Sequence, residues 1–268
     1  MSEESNIFIV PPSHSGILDR RITTTSVVIY GLGHLGSWLA LSLAKLGVRD
    51  ITLHDFDVIE DRNISGSVYT YNDLGTTKVA ALVNILGRNM LNVNAQRDNS
   101  IPVTIFGHGI ASMGYTAYNA GVGFPYQVFS NFYILATDNV ESRRKIVETI
   151  VQHWQLCGHS KFFGHMEPVI IDVRSNGPRL AIVTLPLRDE EMLQRYLKDL
   201  DELAADPTNV VCNEANIIQV PLFISAIVTQ TITSFVRGVK EYYCYQGSLL
   251  DLTTLPYKVT TDSYLPQL

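Results

Sequence analysis

Short runs of β-branched and large apolar residues alternate along the chain with longer segments in which apolar residues recur every three or four positions. The short runs are typical of buried strands and lie at 26–30, 51–55, 132–136, 168–174 and 180–185. The longer segments predict helices at 34–46, 77–91, 140–156, 189–204 and about 214–237. Because a strand, a helix and a second strand follow one another within about thirty residues, the pattern predicts a βαβ unit. We therefore expect an α/β fold with a Rossmann-like, mainly parallel sheet flanked by helices.

Three segments lack a clear period. Residues 1–23 contain Pro11-Pro12 and predict an irregular or partly helical lead-in. Residues 107–126 are rich in Gly, Tyr and Ala, which favours a loop. The tail from Tyr242 is mixed in composition and is expected to be extended.

Composition narrows the class of protein. With 268 residues, 46% hydrophobic and 17% charged, the chain can bury a large core. A formal net charge of −6 without a basic block argues against general nucleic-acid binding. The start, MSEESNIF, lacks the features of a signal peptide. We expect a cytoplasmic protein.

Cysteine spacing and the most apolar stretch exclude two further classes. Cys157, Cys212 and Cys244 form no CxxC pair, so no structural zinc is expected. The stretch from Ile217 to Val236 contains eight Gln, Pro, Thr or Ser residues. It therefore favours a core helix or a homodimer face over a membrane span.

The candidate chemistry begins at Gly31-Leu-Gly33-His-Leu-Gly36, which matches G-x-G-x-x-G between a predicted strand and a predicted helix. The first glycine permits a tight turn, the second lets a phosphate approach the backbone, and the third lets the helix pack on the strand. Asp55 ends the next strand, where a carboxylate can accept hydrogen bonds from ribose hydroxyls. These residues predict a nucleotide site but do not distinguish NAD from ATP.

Later motifs do distinguish them. The chain continues with D-x-D-V-x(4)-N at 55–63, D-x-G-x-x-K-x-x-A at 73–81 and A-T-D-N at 136–139, followed by Arg143. In this order the motifs, over residues 26–147, resemble the ThiF/MoeB/HesA superfamily of ubiquitin-activating-enzyme-like adenylyltransferases. The resemblance implies ATP-dependent adenylation of the C-terminal carboxylate of a ubiquitin-like or sulfur-carrier protein, or of a peptide.

Transfer of AMP to a carboxylate needs cations and oriented donors, because the substrate supplies the nucleophile. Lys78 can neutralise phosphate charge, Asn63 can donate to a phosphate oxygen, and Asp138 can hold Mg²⁺. The resemblance implies the same roles, with Asp55 on the ribose and with Asn139, beside Asp138, among the nucleotide-binding residues. Each residue also has a structural alternative: Asp55 as a turn cap, Lys78 as a solvated charge, and Asp138 or Asn139 as the N-cap of the next helix.

One position departs from the resemblance. The superfamily usually has N-x-x-R-Q, with an arginine that contacts the triphosphate, whereas this chain has Gly66-Ser67 after Asn63. Losing a cation beside the transferring phosphate weakens stabilisation of the transition state. Arg20-Arg21 or Arg174 are candidates to replace it.

The C-terminal half resembles a divergent branch of ThiF-like proteins through Ile171-Asp-Val-Arg174, Tyr196 and Val211-Cys212. The resemblance allows Cys212 to take an activated partner as a thioester, and a following helix would favour its thiolate. A buried structural cysteine is the alternative. These patterns divide the chain into a lead-in (1–23), a nucleotide-binding core (24–160) and an extension of the same domain for partner binding or dimerisation (161–268).

Other readings of the sequence stay open. His153 and Cys157, with His159, could bind a metal, although a packed or solvated helix face explains them as well. A superfamily member that binds nucleotide or a partner without activating it would account for Gly66-Ser67. An NAD-dependent oxidoreductase would account for the glycine motif and Asp55, but not for Asn63, Lys78 and Asp138.

Overall fold

The computed structural model describes residues 18–90, 103–106, 110–113, 130–156, 167–205, 217–239, 243–249 and 253–258. The helices are α1 (His34–Leu46), α2 (Asp61–Ile64), α3 (Lys78–Met90), α4 (Val140–Leu156), α5 (Glu190–Ala205) and α6 (Gln219–Val236). The strands are β1 (Ser26–Tyr30), β2 (Asp50–His54), β3 (Val103–Phe106), β4 (Ile110–Met113), β5 (Phe132–Leu135), β6 (Val169–Asn176), β7 (Arg179–Pro186), β8 (Tyr243–Ser248) and β9 (Thr253–Lys258). Short 3-10 helices occupy Arg20–Thr24 and Tyr71–Asp73.

The strands form one sheet in the order β3-β4-β2-β1-β5-β6-β7-β8-β9. Parallel pairing joins its four central strands, β2, β1, β5 and β6, while antiparallel strands extend both edges. The strand that follows β1 in the chain, β2, lies on one side of β1, and the next parallel strand, β5, lies on its other side. The carboxyl ends of these neighbouring strands therefore lie at the switch point where α/β sheets bind ligands. The predicted α/β class and Rossmann-like centre are confirmed.

Helices cover both faces of the sheet. One core joins α1, α3 and α6 to β1, β2, β5 and β6, and the other joins α4 and α5 to the opposite face. In α6 the buried apolar residues recur every three or four positions, at Val220, Ile224, Val228, Ile232 and Phe235. This helix is long and apolar enough to cross a membrane by length and composition, but 56% of it is buried inside the structure. That burial is what the core helix of a folded domain shows.

The interpretation of 107–126 as a loop is partly wrong, because β4 occupies Ile110–Met113 and pairs with both β2 and β3. Of the four residues in β4, only Ile110 is β-branched, so the local sequence carries little strand signal. The rest of that segment and most of the lead-in lie outside the described residues. The tail is extended as expected, since β8 and β9 form an antiparallel pair.

Candidate nucleotide site

The turn between β1 and α1 gives each of its three glycines a different steric environment. Gly31 has φ +88°, and a Cβ there would lie 2.6 Å from the carbonyl oxygen of Ala136. A Cβ on Gly36 would lie 1.8 Å from the carbonyl oxygen of Gly31, so a glycine there lets α1 pack directly on the turn. No described atom lies within 4 Å of a Cβ on Gly33, which leaves its surface open. A phosphate-binding turn requires this pattern, in which the first and third glycines are packed against backbone and the second is open to a ligand.

The open glycine is also the N-cap of α1, and no side chain of the described residues caps this end. The first bond of the helix runs from the Ser37 N–H to the Gly33 carbonyl oxygen, at 3.1 Å. The preceding N–H groups and the positive end of the helix dipole can therefore meet an anion.

Asp55 fixes this turn through its carboxylate. One oxygen accepts a hydrogen bond from the Leu32 N–H at 2.6 Å, and the other accepts from the Asp57 N–H at 2.8 Å. Burial raises the pKa of Asp55, while Lys78 and these two N–H groups act in the opposite direction. Each carboxylate oxygen has a further lone pair, so the contact with Leu32 is compatible with the predicted ribose role.

Lys78 begins α3, and its ammonium lies between two carboxylates at the end of β2. Its Nζ is 2.6 Å from Oδ2 of Asp57 and 3.8 Å from Oδ1 of Asp55. The Lys78 side chain is only 9% exposed, whereas that of Asp57 is 70% exposed. A phosphate that displaced the exposed carboxylate of Asp57 would find the lysine already in place. The D-x-D spacing was the available signal for Asp57, which sequence reasoning did not assign to the site.

Asn63 belongs to the short helix α2, which follows β2. Its Oδ1 accepts a hydrogen bond from the Glu60 N–H at 2.9 Å, so the amide NH₂ group is the part that points away from the cap. Ser67 has a local role, since its hydroxyl donates to the carbonyl oxygen of Asn63 and accepts from the Tyr69 N–H at 3.2 Å. The structure thus places Asn63 on a capped turn whose shape depends on Ser67.

The turn after β5 carries Asp138 and Asn139. Asn139 is the N-cap of α4, because its Oδ1 accepts from the Ser142 N–H at 3.0 Å. Asp138 is exposed, and no described residue forms a hydrogen bond or ion pair with its carboxylate. No cluster of three metal-ligating side chains occurs within the described ranges. A magnesium ion at Asp138 would therefore take its other ligands from phosphate oxygens and water, as is common for this ion.

A buried arginine holds that turn in place. The guanidinium of Arg143 donates to the carbonyl oxygens of Leu135 at 3.3 Å and Val173 at 3.2 Å, and also to that of Thr137. It forms an ion pair with Asp172, which is completely buried on β6. Arg143 therefore fixes the backbone on either side of Ala136 and, through it, the residue that precedes Asp138.

Asp172 is the centre of this network. It also accepts from Nε of Arg174 at 2.6 Å and from the hydroxyl of Tyr196 at 2.8 Å. Burial alone would raise the pKa of Asp172, but Arg143, Arg174 and the Tyr196 hydroxyl together hold it below the usual value. The Ile171-Asp-Val-Arg174 pattern therefore marks a buried structural network that supports the β5–α4 turn.

Arg174, Arg20 and Arg21, the candidates to replace an arginine at position 66, do not lie at the glycine turn. Arg174 is engaged by Asp172. Arg20 and Arg21 precede β1, whereas the glycine turn follows it, and Ile22 beside them faces Gly47 at the far end of α1. Arg21 is bound to Asp19. These two arginines therefore lie at the sheet edge opposite the candidate site.

The remaining candidate residues lie mostly outside the described part of the chain. Cys212, Cys157 and His159 fall there, so the thioester and the alternative metal site stay predictions. Cys244 is described, and burial raises the pKa of its thiol to about 11, which disfavours the reactive thiolate.

A glycine-rich, uncapped helix start at the carboxyl edge of parallel strands marks a Rossmann-like protein, and it is the arrangement with which such folds bind nucleotides. The model of the ThiF family matches residues 13–242. The chain therefore belongs to the ThiF family.

Similarity to curated proteins is confined to short segments. The chain is 35% identical over 75 residues to the ATP-dependent ubiquitin transferase-like protein Cap2 of Enterobacter hormaechei subsp. hoffmannii (strain UCI 50), covering 28% of this chain and 12% of Cap2. It is 36% identical over 73 residues to ubiquitin-like modifier-activating enzyme 5 of Arabidopsis thaliana, covering 26% of this chain and 17% of that enzyme. The matched segments thus span less than a fifth of either relative.

Similarity to solved structures extends over the fold. The crystal structure of PaaA superimposes with a TM-score of 0.57 at 20% identity, covering 89% of this chain and 65% of PaaA. Escherichia coli MccB crystallised with ATP gives a TM-score of 0.56 at 14% identity, covering 89% of this chain and 64% of MccB. At these identities the likeness establishes a shared fold.

Proposed function

We propose that this protein binds ATP·Mg²⁺ and adenylates the C-terminal carboxylate of a small ubiquitin-like or sulfur-carrier protein, or of a peptide. The observation that carries the proposal is the open surface at Gly33, on the uncapped start of α1, beside the ammonium of Lys78. Membership of the ThiF family supports it, as does the fold shared with MccB, whose structures include one with ATP and one with AMPCPP and MccA.

In the proposed reaction, an oxygen of the substrate carboxylate attacks the α-phosphorus of ATP. A new acyl–phosphate bond forms, the bond between the α-phosphorus and the bridging oxygen breaks, and pyrophosphate leaves with that electron pair. No proton has to be removed from the nucleophile, because a carboxylate is ionised at neutral pH. This explains why the site needs no general base.

The residues of this chain bind and orient the reactants. The N–H groups at the start of α1 and the ammonium of Lys78 offset the negative charge that accumulates on the phosphates. Lys78 has to exchange Asp57 for a phosphate oxygen, and the exposed Asp57 can move into solvent. Asp55 holds the glycine turn and can accept from the ribose, while the Asn63 amide can donate to a phosphate oxygen. Mg²⁺ bound at Asp138 would neutralise charge on the leaving pyrophosphate.

The test compares Asp138→Asn with wild type by calorimetric titration of ATP. Each protein is titrated once with Mg²⁺ and once in EDTA. We expect at least a tenfold loss of affinity with Mg²⁺ and little change in EDTA, because the carboxylate acts through the metal. The melting temperature should stay unchanged, since Asp138 is exposed and has no partner among the described residues.

Glu190→Gln is the matched control, because it removes another exposed carboxylate, at the start of α5 and away from the site. It should bind ATP·Mg²⁺ as wild type does. Equal magnesium dependence in Asp138→Asn and wild type would remove the metal assignment. NAD binding in place of ATP would overturn the proposed function.

A second function is favoured by Gly66, because this position carries no arginine to contact the phosphates. In that case the protein binds nucleotide or a partner without activating it. ATP-dependent exchange of labelled pyrophosphate with a candidate carboxylate partner separates the two functions: exchange supports adenylation, and ATP binding without exchange for any such partner supports the binding protein. Homodimer formation and a cytoplasmic location remain part of the proposal.

A further inference from the structure

Gly66 lies against the imidazole ring of His34. A Cβ built on Gly66 would be 2.1 Å from Nδ1 and 2.6 Å from Cε1 of that ring, far inside van der Waals contact. Position 66 and position 34 therefore cannot both carry a side chain without a shift of the structure. The two residues belong to the two segments that the proposed function places at the phosphates, the Asn63 turn and the glycine turn.

The backbone of Gly66 gives no other reason for a glycine. The described glycines with a left-handed φ are Gly31, Gly47, Gly75, Gly177 and Gly238. Gly66 is not among them, so an alanine could adopt its backbone conformation. The contact with His34 is what excludes a larger residue.

The segment around Gly66 is not free to move away from the ring. Nε1 of Trp38, one turn further along α1, donates to the carbonyl oxygen of Gly66 at 3.1 Å. The hydroxyl of Ser67 is bound on the other side to Asn63. A shift that made room for a side chain at 66 would therefore disturb the Asn63 turn.

His34 is the first residue of α1 and directly follows the open Gly33. Burial lowers the pKa of His34, while the backbones of Ile217 and Gly66 act in the opposite direction, so that the ring is neutral at pH 7. Its Nε2 is buried and has no hydrogen-bond partner among the described residues. The imidazole thus stands between the glycine turn and the Asn63 turn, with its ring against the backbone of Gly66.

We propose that His34 is a positioning residue of the nucleotide site: its ring fills the space in which a side chain at position 66 would stand, and it sets the distance between the glycine turn and the Asn63 turn at the phosphate end of the nucleotide. His34 and Gly66 are then a complementary pair. The proposal rests on the proposed ATP site, and it explains how that site is built without a residue-66 side chain.

The steric contact between His34 and position 66 is tested by a double-mutant cycle in unfolding experiments, which need no nucleotide. We expect Gly66→Ala to lower the melting temperature by several degrees, because the new Cβ meets the ring. His34→Ala/Gly66→Ala should recover most of that loss, since the ring is gone. Gly87→Ala is the control, because Gly87 also lacks a left-handed φ and no described atom lies within 4 Å of its Cβ. Additive effects in the cycle would overturn the pairing.

The functional half is tested by titrating ATP·Mg²⁺ and adenosine into the same variants. His34→Ala should weaken ATP binding about tenfold and adenosine binding less than twofold, because the ring acts at the phosphate end. His34→Ala/Gly66→Arg should bring ATP affinity back to within about threefold of wild type, because an arginine then fits the vacated space and faces the phosphates. His34→Gln, which keeps an amide near the position of Nε2, should fall between wild type and His34→Ala.

The outcomes separate the two proposals. If wild type binds ATP·Mg²⁺ and His34→Ala binds it equally well, His34 has no positioning role, while the proposed function stands. If ATP and adenosine affinities fall by the same factor in His34→Ala, the ring is only structural and the inference is wrong. If wild type binds no ATP, the proposed function fails and the role of His34 fails with it.

Discussion

Gly33→Ala is expected to weaken ATP binding by at least a hundredfold while the protein stays folded. The added methyl group would occupy the open surface on which the phosphates are proposed to lie, and no described atom lies within 4 Å of it. Since the added methyl group pushes no described atom aside, the free energy of unfolding should fall far less than in Gly36→Ala, where the methyl group meets the backbone. Calorimetric titration of ATP·Mg²⁺, together with urea unfolding, measures both quantities.

Gly36→Ala is the contrasting variant in the same motif. Its Cβ would lie 1.8 Å from the backbone oxygen of Gly31, so α1 would have to move off the turn. We expect a loss of about 3 kcal/mol or more in the free energy of unfolding, as for other overpacked backbone contacts. If Gly33→Ala lost as much stability as Gly36→Ala, or bound ATP as wild type does, the open glycine would not be the phosphate site.

The difference between these two glycines shows how far the sequence alone could go. The G-x-G-x-x-G spacing predicted three roles, and apolar periodicity placed α1 at the residues where the structure has it. Both signals are local: a turn of fixed length and a helix with one buried face. Most of the other helices and strands were predicted within a few residues for the same reason.

The parts that the sequence did not predict depend on contacts between distant residues. The bond from Leu32 to Asp55 and the contact between His34 and Gly66 join segments that are more than twenty residues apart. Asp57 was overlooked as the partner of Lys78 because nothing in the local pattern says which of two carboxylates a lysine will meet. β4 was missed because its pairing with β2, rather than its own composition, makes it a strand.

Arg143 is the clearest example of a residue whose contacts lie far away in the sequence. Replacing it is expected to cause a large loss in the free energy of unfolding. It lies on α4, yet its guanidinium contacts the carbonyl oxygens of Leu135, Thr137 and Val173 and the carboxylate of Asp172. Arg143→Ala would leave Asp172 with one cation in place of two and would leave three carbonyl oxygens without this donor. Breaking a buried ion pair typically costs about 3–5 kcal/mol, and we expect a loss of unfolding free energy in that range.

Acid should reproduce part of this loss in the wild-type protein. Because the pKa of Asp172 is lower in the folded protein than its usual value near 4, the ionised carboxylate stabilises the fold above that pH. This contribution is lost as the pH falls from about 4 towards the folded pKa. Asp172→Asn should therefore be less stable than wild type at pH 7, and the difference should shrink below pH 4. Urea unfolding at a series of pH values measures it.

Arg143→Lys distinguishes a purely structural arginine from one that also positions Asp138. Lysine keeps the charge beside Asp172 but cannot reach all three carbonyl oxygens with its single ammonium, so the β5–α4 turn loses part of its support. We expect Arg143→Lys to remain folded and to bind ATP·Mg²⁺ at least tenfold more weakly than wild type, with little change in EDTA. Lys145→Arg, on the solvent side of the same helix, is the control and should bind as wild type does. An Arg143→Lys variant with unchanged magnesium-dependent affinity would show that the network stabilises the fold without setting the position of Asp138.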